Sequence, residues 1–366
     1  MNRKNVKTIA VILFVIIAVI LVFTTGCVNQ SSSEEKKNEV TNQEKLPEGQ
    51  NSSSGVSQTN TSSLVTIRAN VNKDCAGTPW FVGEEKGFFL NGGINFVDQG
   101  ALDWSLQPAA LISGQTDVAD AHPNTIINLL KSSAKVKGVV AGGDEPEGEG
   151  IENIEKEHMH WLVLNTSPYY TIQDLVKDGK KPKIAVGALG ICADLENNYW
   201  FRKNNLTKDD FEYVIIPDPQ QEQALRQGEV DVIVPHPPFF TAAEQHGGVR
   251  PIATSREVFG KEAGITLLYF TEDFIKKNPD SVRKFINAYK EAERWSNAHP
   301  EESAVITAKR IGLDKSTTHY YSDSGVIEDK VLQKWIDAMV ADGDIKPGEY
   351  TPKDLYIEDF KDTWET

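Results

Sequence analysis

Two cysteines and two histidines, Cys75, Cys192, His122 and His236, stand in four separate short stretches of the chain, with Asp74, Asp120 and Asp194 close by. Thiolate and imidazole in that ratio are ligands for zinc or another soft metal. A Cys192–His236 pair has a second use, because a neighbouring imidazolium stabilises a thiolate nucleophile. The spacing supports neither chemistry. No two of these residues form a C-x-x-C or an H-x-x-x-H, and the chain lacks G-x-S-x-G, H-E-x-x-H, G-x-x-x-x-G-K-[ST] and a G-x-G-x-x-G after a strand. The reading is that Cys75, His122, Cys192 and His236 line a binding site, the histidines donating hydrogen bonds to a ligand. No metal, cofactor or catalytic residue is expected.

The four stretches share one kind of position, between a strand and the helix that follows it. The pattern L-x-x-G-[QE]-x-D-V occurs twice, as Leu111 to Val118 and as Leu225 to Val232. Each copy reads as a last helical turn, a glycine stop and a strand entering the core. Pro-rich loops follow, Asp120-Ala-His-Pro123 and Val234-Pro-His-Pro-Pro238. A third loop, Asp74 to Pro79, leads from the strand Leu64–Asn70 to a helix with Thr78 suited to its N-cap and Pro79 to its first position. A fourth, Gly190 to Asp194, follows the strand Ile184–Gly187. In open α/β sheets ligands bind at this edge, where helix N-termini offer unpaired N–H groups. None of the four loops carries Lys or Arg, so a polar group must be held by N–H groups and uncharged or imidazole side chains. A repeated α/β unit implies two lobes facing across a cleft. A Cys75–Cys192 disulfide between them is the alternative to free thiols, although it would lock the hinge.

The 366 residues suffice for two domains, with 39% hydrophobic and 25% charged side chains, and a net charge of −15 argues against nucleic acid as a partner. Residues 1–27 read as a lipoprotein signal peptide. Arg3, Lys4 and Lys7 precede an apolar run from Ile9 to Phe23, shorter than the roughly 20 residues a membrane-spanning helix needs, and Thr24-Thr25-Gly26-Cys27 follows as a lipobox-like site. Cys27 is the expected lipidation site, with an uncleaved N-terminal anchor as the alternative. Residues 28–63 carry too few apolar side chains for a core and read as a disordered tether. The expected body comprises a first part of lobe 1 (64–166), lobe 2 (167–265), and a return to lobe 1 with C-terminal helices (266–366). Asp144 to Glu157 is acidic and reads as a solvated surface loop. Apolar stripes at helical spacing over Pro279–Asn297 and Ile327–Val340 read as core.

From about Leu64 to Gly312 the chain resembles the nitrate/sulfonate/taurine group of substrate-binding proteins for ABC importers, which has relatives for thiamine-pyrimidine precursors. The likeness rests on Pro79-Trp-Phe-Val-Gly-Glu-Glu-Lys-Gly-Phe-Phe89, Ala110-Leu-Ile-Ser-Gly-Gln-Thr-Asp-Val118, Ala224-Leu-Arg-Gln-Gly-Glu-Val-Asp231 followed by Pro238, and Asn278-Pro-Asp-Ser-Val282. The resemblance implies a two-lobed periplasmic-binding-protein-like α/β fold of type II character and hinge closure on a small solute; the alternative is a metal-binding or ligand-sensing protein, or an enzyme, on the same two-lobed fold. It also implies delivery to an ABC permease and its ATPase, a role that the lipid anchor and extracytoplasmic location expected from residues 1–27 fit independently, with a monomer as the expected form. Carried over by position, Thr78 and Trp80 fall in the first binding loop and His122, Asn124 and Thr125 in the second. Gly190 and Cys192 stand where the family usually has Gly followed by Ser or Thr, and His236 where many members carry an aromatic residue. These departures, with no arginine, point away from a simple sulfonate or nitrate. They favour a zwitterionic or heteroaromatic solute stacked on Trp80 or Phe239 and hydrogen-bonded by His122 and His236.

Overall fold

The computed structural model describes residues 64–147 and 154–364. The expected signal peptide, the lipidation site Cys27 and the tether lie outside the described residues, as does the middle of the acidic stretch. Twelve strands run through the described residues: β1 (Val65–Ala69), β2 (Ile94–Asp98), β3 (Val118–Ala121), β4 (Val136–Ala141), β5 (Gly143–Asp144), β6 (His160–Leu164), β7 (Lys183–Val186), β8 (Glu212–Ile215), β9 (Val232–Ile233), β10 (Val249–Thr254), β11 (Leu267–Thr271) and β12 (Tyr320–Tyr321). One lobe holds a five-stranded sheet ordered β10-β6-β9-β7-β8. The other holds β3-β11-β4, with the parallel pair β1–β2 beside it and the short pair β12–β5. No helix among the described residues is long and apolar enough to cross a membrane.

The repeat does in three dimensions what its pattern suggests, and its aspartate has a definite task. In each copy a helix, Gln107–Ile112 or Asp218–Gln227, runs to a left-handed glycine, Gly114 at φ +75° or Gly228 at φ +72°, before β3 or β9 begins. Asp117 then accepts from the backbone N–H of Arg68 at 2.9 Å while its own N–H donates to the Arg68 carbonyl at 2.8 Å. Asp231 does the same with Lys183, at 2.8 and 2.9 Å. Asp231 therefore latches the start of β9 to the start of its parallel partner β7, and Asp117 ties the start of β3 to the end of β1. The Arg68 guanidinium adds a second tie to Asp117, at 2.7 and 2.9 Å.

The crossing between lobes lies earlier than the sequence suggests. β6, expected to end the first part of lobe 1, pairs antiparallel with β10 and β9 in the five-stranded sheet. The chain therefore passes between the sheets before His160, and returns between β10 and β11. The expected solvated loop at Asp144 to Glu157 is accordingly buried at both ends: Glu145 is 3% exposed and Glu157 4%. The connection needs that burial, because Glu145 accepts from the backbone N–H of His158 at 3.1 Å and from the Ser255 hydroxyl at 2.7 Å, tying the outgoing strand of chain to the returning one.

The stripes on the Pro279–Ala298 and Asp329–Asp342 helices are core, as their spacing predicts. Val282, Phe285, Ile286 and Tyr289 bury one face, and Leu332, Trp335, Ile336 and Met339 the other. Replacing Asp117 by alanine leaves the Arg68 N–H and guanidinium without an acceptor, so Asp117→Ala should cost about 1–3 kcal/mol in urea unfolding. Asp117→Asn, which keeps one acceptor oxygen, should cost less.

Candidate functional site

The four loops converge on one buried cavity at the strand ends, lined by Cys75, His122, Thr125, Cys192 and His236 among the expected residues. Its room for water-sized molecules is about 50 Å³, space for roughly three to five waters. The helices that begin here, Thr78–Glu85, Pro123–Lys131, Cys192–Lys203 and Phe239–Gln245, have no side-chain N-cap. The helices starting after Thr171, Thr254 and Thr271, in contrast, have their N–H groups capped by that threonine.

The other expected residues do different work. Trp80 does not reach the cavity: it sits in an aromatic cluster with Phe96 at 5.5 Å, Phe285 at 5.6 Å and Tyr289 at 4.8 Å between ring centroids. Thr78 is fully buried and its hydroxyl meets that of Thr307 at 2.7 Å. Phe239 opens its helix, half-buried and outside the lining. Asn124 donates to the Gly190 carbonyl at 3.1 Å, so these two join the loop after β3 to the loop after β7. A second bond between lobes runs from the Cys75 N–H to the Pro237 carbonyl at 3.0 Å. Both cysteines are free and buried, and no bridge joins them.

Two histidines that carry no sequence signal complete the site. His158 comes from the outgoing crossover and His319 from the chain just before β12. Its ring lies 4.5 Å from that of His122, 4.8 Å from that of His236 and 5.6 Å from that of His319. Three of the four imidazoles are oriented from behind. His122 Nδ1 faces the Ile265 carbonyl at 2.7 Å, His319 Nδ1 the Lys156 carbonyl at 2.9 Å, and His236 Nδ1 the Asp218 carboxylate at 2.6 Å. A carbonyl only accepts, so Nδ1 of His122 and of His319 carries a proton, and in His319, kept neutral by burial, Nε2 is left as a bare lone pair. Trp335 stacks behind His122 at 5.2 Å.

Cys192 is the first residue of its helix, and its sulfur lies 3.3 Å from His236 Nε2. Burial pushes the thiol up, but the charges and hydrogen bonds of His122 and His236 outweigh it and bring it down to about 6. Burial likewise opposes charge on His236, and Asp218 and Cys192 override it, raising the imidazole well above its usual range. Burial and the neighbouring histidines hold His158 well below that range, and burial takes His319 to about 4. At neutral pH the cavity thus holds a thiolate–imidazolium pair beside two neutral imidazoles. Burial raises the Asp120 carboxyl to about 6 and that of Asp74 to about 7, the latter against the pull of His236. Cys75 is a protonated thiol, raised well above its usual range by burial and by Asp74 and Asp218.

Two facing α/β lobes, two crossovers and a cavity at the strand ends define a periplasmic-binding-protein fold. The sequence pattern of the NMT1-like family matches residues 65–312, and the chain belongs to that family. A protein of Brucella abortus (strain 2308), provisionally described as a binding protein, is 21% identical over 312 residues, covering 81% of this chain and 91% of its own. The nitrate-binding protein NrtA of Synechocystis PCC 6803 superposes with a TM-score of 0.68 at 14% identity, over 82% of this chain and 88% of that one. The aliphatic sulphonate binding protein SsuA of Escherichia coli gives 0.56 at 18%, over 75% and 84%.

Two expectations follow. The ultraviolet absorbance of the Cys192 thiolate should titrate with a midpoint near pH 6 and vanish in Cys192→Ser. In His236→Ala the midpoint should move up, because a positive charge is removed from beside the sulfur. Trp80→Ala should lower stability by about 3–5 kcal/mol in denaturant unfolding, as for a core aromatic.

Proposed function

We propose that this chain is the solute-capturing component of an ABC importer, held at the outer face of the cell membrane by a lipid on Cys27. It takes a small polar solute into the cavity between its lobes and passes it to the permease. The observation that carries the reading is the convergence of four strand-end loops from two lobes on one buried cavity, bordered by uncapped helix N-termini. Family membership supports the same role.

The cavity narrows the solute. Its limited room favours a compact molecule, and the lining carries imidazoles and a thiol rather than arginine. Stacking on Trp80 or Phe239 is dropped, since neither lines it. Hydrogen bonding by His122 and His236 remains part of the reading. Capture proceeds by hinge closure: the Asn124–Gly190 and Cys75–Pro237 bonds form when the loops meet and break when the lobes part.

A thermal-shift screen of the soluble body with nitrate, alkanesulfonates, taurine, aminopyrimidines and metal ions tests the capture role. A ligand at 100 times its dissociation constant stabilises by about 2.7 kcal/mol. The stabilising compound should also shrink the radius of gyration in solution scattering. Stabilisation without compaction would defeat hinge closure, and no transport defect on deleting the gene would defeat the importer role. Cys27→Ser should move the protein from the membrane fraction to the medium or periplasm.

A further inference from the structure

The four imidazoles and one thiol of the cavity are arranged in a way that hydrogen bonding to an organic solute does not require. His122, His158 and Cys192 each present one donor atom to a common point, and these atoms lie within 4.8 Å of one another. His236 Nε2 joins the group, 3.3 Å from the Cys192 sulfur. His158 Nε2 and His319 Nε2 are buried with no hydrogen-bond partner. A buried nitrogen without a partner loses its hydrogen bonds to water with nothing in return, and such groups call for an occupant.

The outer nitrogens supply the second observation. His122 and His319 are tied through Nδ1 to backbone carbonyls and His236 to the Asp218 carboxylate, each turning its Nε2 inward. Metal-binding histidines are oriented in this way, with the far ring nitrogen anchored to a carbonyl or carboxylate. The geometry points to a site for one borderline-soft divalent cation of the zinc, cobalt or nickel class, ligated by His122, His158 and Cys192 with His236 alongside. Imidazole and thiolate donors suit those ions rather than magnesium or calcium, which take oxygen ligands.

The donors come from both lobes and from the crossover that joins them. His122 follows β3, Cys192 and His236 follow β7 and β9, and His158 lies on the outgoing connection. An ion at their meeting point bonds to both lobes at once, so its binding favours the closed arrangement in which the Asn124–Gly190 and Cys75–Pro237 bonds stand. This inference rests on the reading of the cavity as the cargo site and makes the ion, or a small complex of it, the cargo.

Tag-free protein stripped with chelator is titrated with Zn²⁺ by calorimetry and with Co²⁺ by absorbance. The expected result is one ion per chain, with a thiolate-to-cobalt charge-transfer band in the near ultraviolet. Cys192→Ser should abolish that band and weaken Zn²⁺ at least about 10-fold, and His158→Gln should weaken it by a similar factor. Asp218→Asn, which alters the orientation of His236 without removing a ligand, should cost about 10–100-fold. His246→Gln, on an exposed histidine outside the cavity, should change nothing. Circular dichroism and unfolding midpoints establish that each variant is folded, and the cobalt band reads the sulfur ligand even in a destabilised one. Absence of saturable one-site binding overturns the inference, as does binding that survives both Cys192→Ser and His158→Gln. If an anion or organic solute then compacts the protein while Zn²⁺ and Co²⁺ do not bind, the metal assignment falls and solute capture stands. If Zn²⁺ binds at these residues without compaction, the site is a metal site and its role as closing cargo is overturned.

Discussion

Two lengths of chain must pass side by side between the lobes with their backbones withdrawn from water, and the rest of the site depends on how that is done. A buried N–H without a partner costs about as much as a lost hydrogen bond. Glu145 and Ser255 meet the requirement, taking the N–H groups of His158 and Met159 onto a carboxylate and a hydroxyl that also bond to each other. The pairing fixes His158 at the centre of the cavity. The returning connection supplies the Ile265 carbonyl that orients His122. The crossovers thus do more than join two lobes. They form one wall of the cavity and set the direction of a histidine on another.

Within that wall, electrostatics divides chemically similar side chains. Cys75 and Cys192 are both buried, yet one is a neutral thiol among carboxylates and the other a thiolate beside His236 at a helix N-terminus. The histidines divide likewise, His236 charged by Asp218 and Cys192, His158 and His319 kept neutral by burial. The Cys192–His236–Asp218 chain has the ordering of a nucleophile, base and orienting carboxylate. Its thiolate lies beside two further imidazoles, those of His122 and His158, which gives the sulfur ligand partners that a hydrolytic triad does not need.

The frame was readable from local signals. The repeated octapeptide, its left-handed glycines and the loops after each strand follow from backbone sterics and capping, which act over a few residues. Cys75, His122, Thr125, Cys192 and His236 stand in those loops and line the cavity for that reason. His158 and His319 were hidden because they enter from segments without a motif, His158 directly behind an acidic stretch whose charges suggest solvent. Trp80 misled because nothing in the first turn of a helix says which face is buried; that is decided by Phe285 and Tyr289, some two hundred residues on. Asn124 and Gly190 stand at the expected loops, but they bond to each other across the lobes, a pairing between separate parts of the fold that no local pattern records.

The aspartate latches of the two repeats have a consequence for how such a protein changes over generations. Asp117 and Asp231 tie strands together with side chains that do not line the cavity, so the side chains that do line it carry little of the burden of keeping the sheets aligned. Exchanging a serine for a cysteine or an aromatic residue for a histidine at those loop positions leaves the scaffold's accounting of hydrogen bonds untouched. The chemistry of the cavity can then drift by a few substitutions while the architecture stands still.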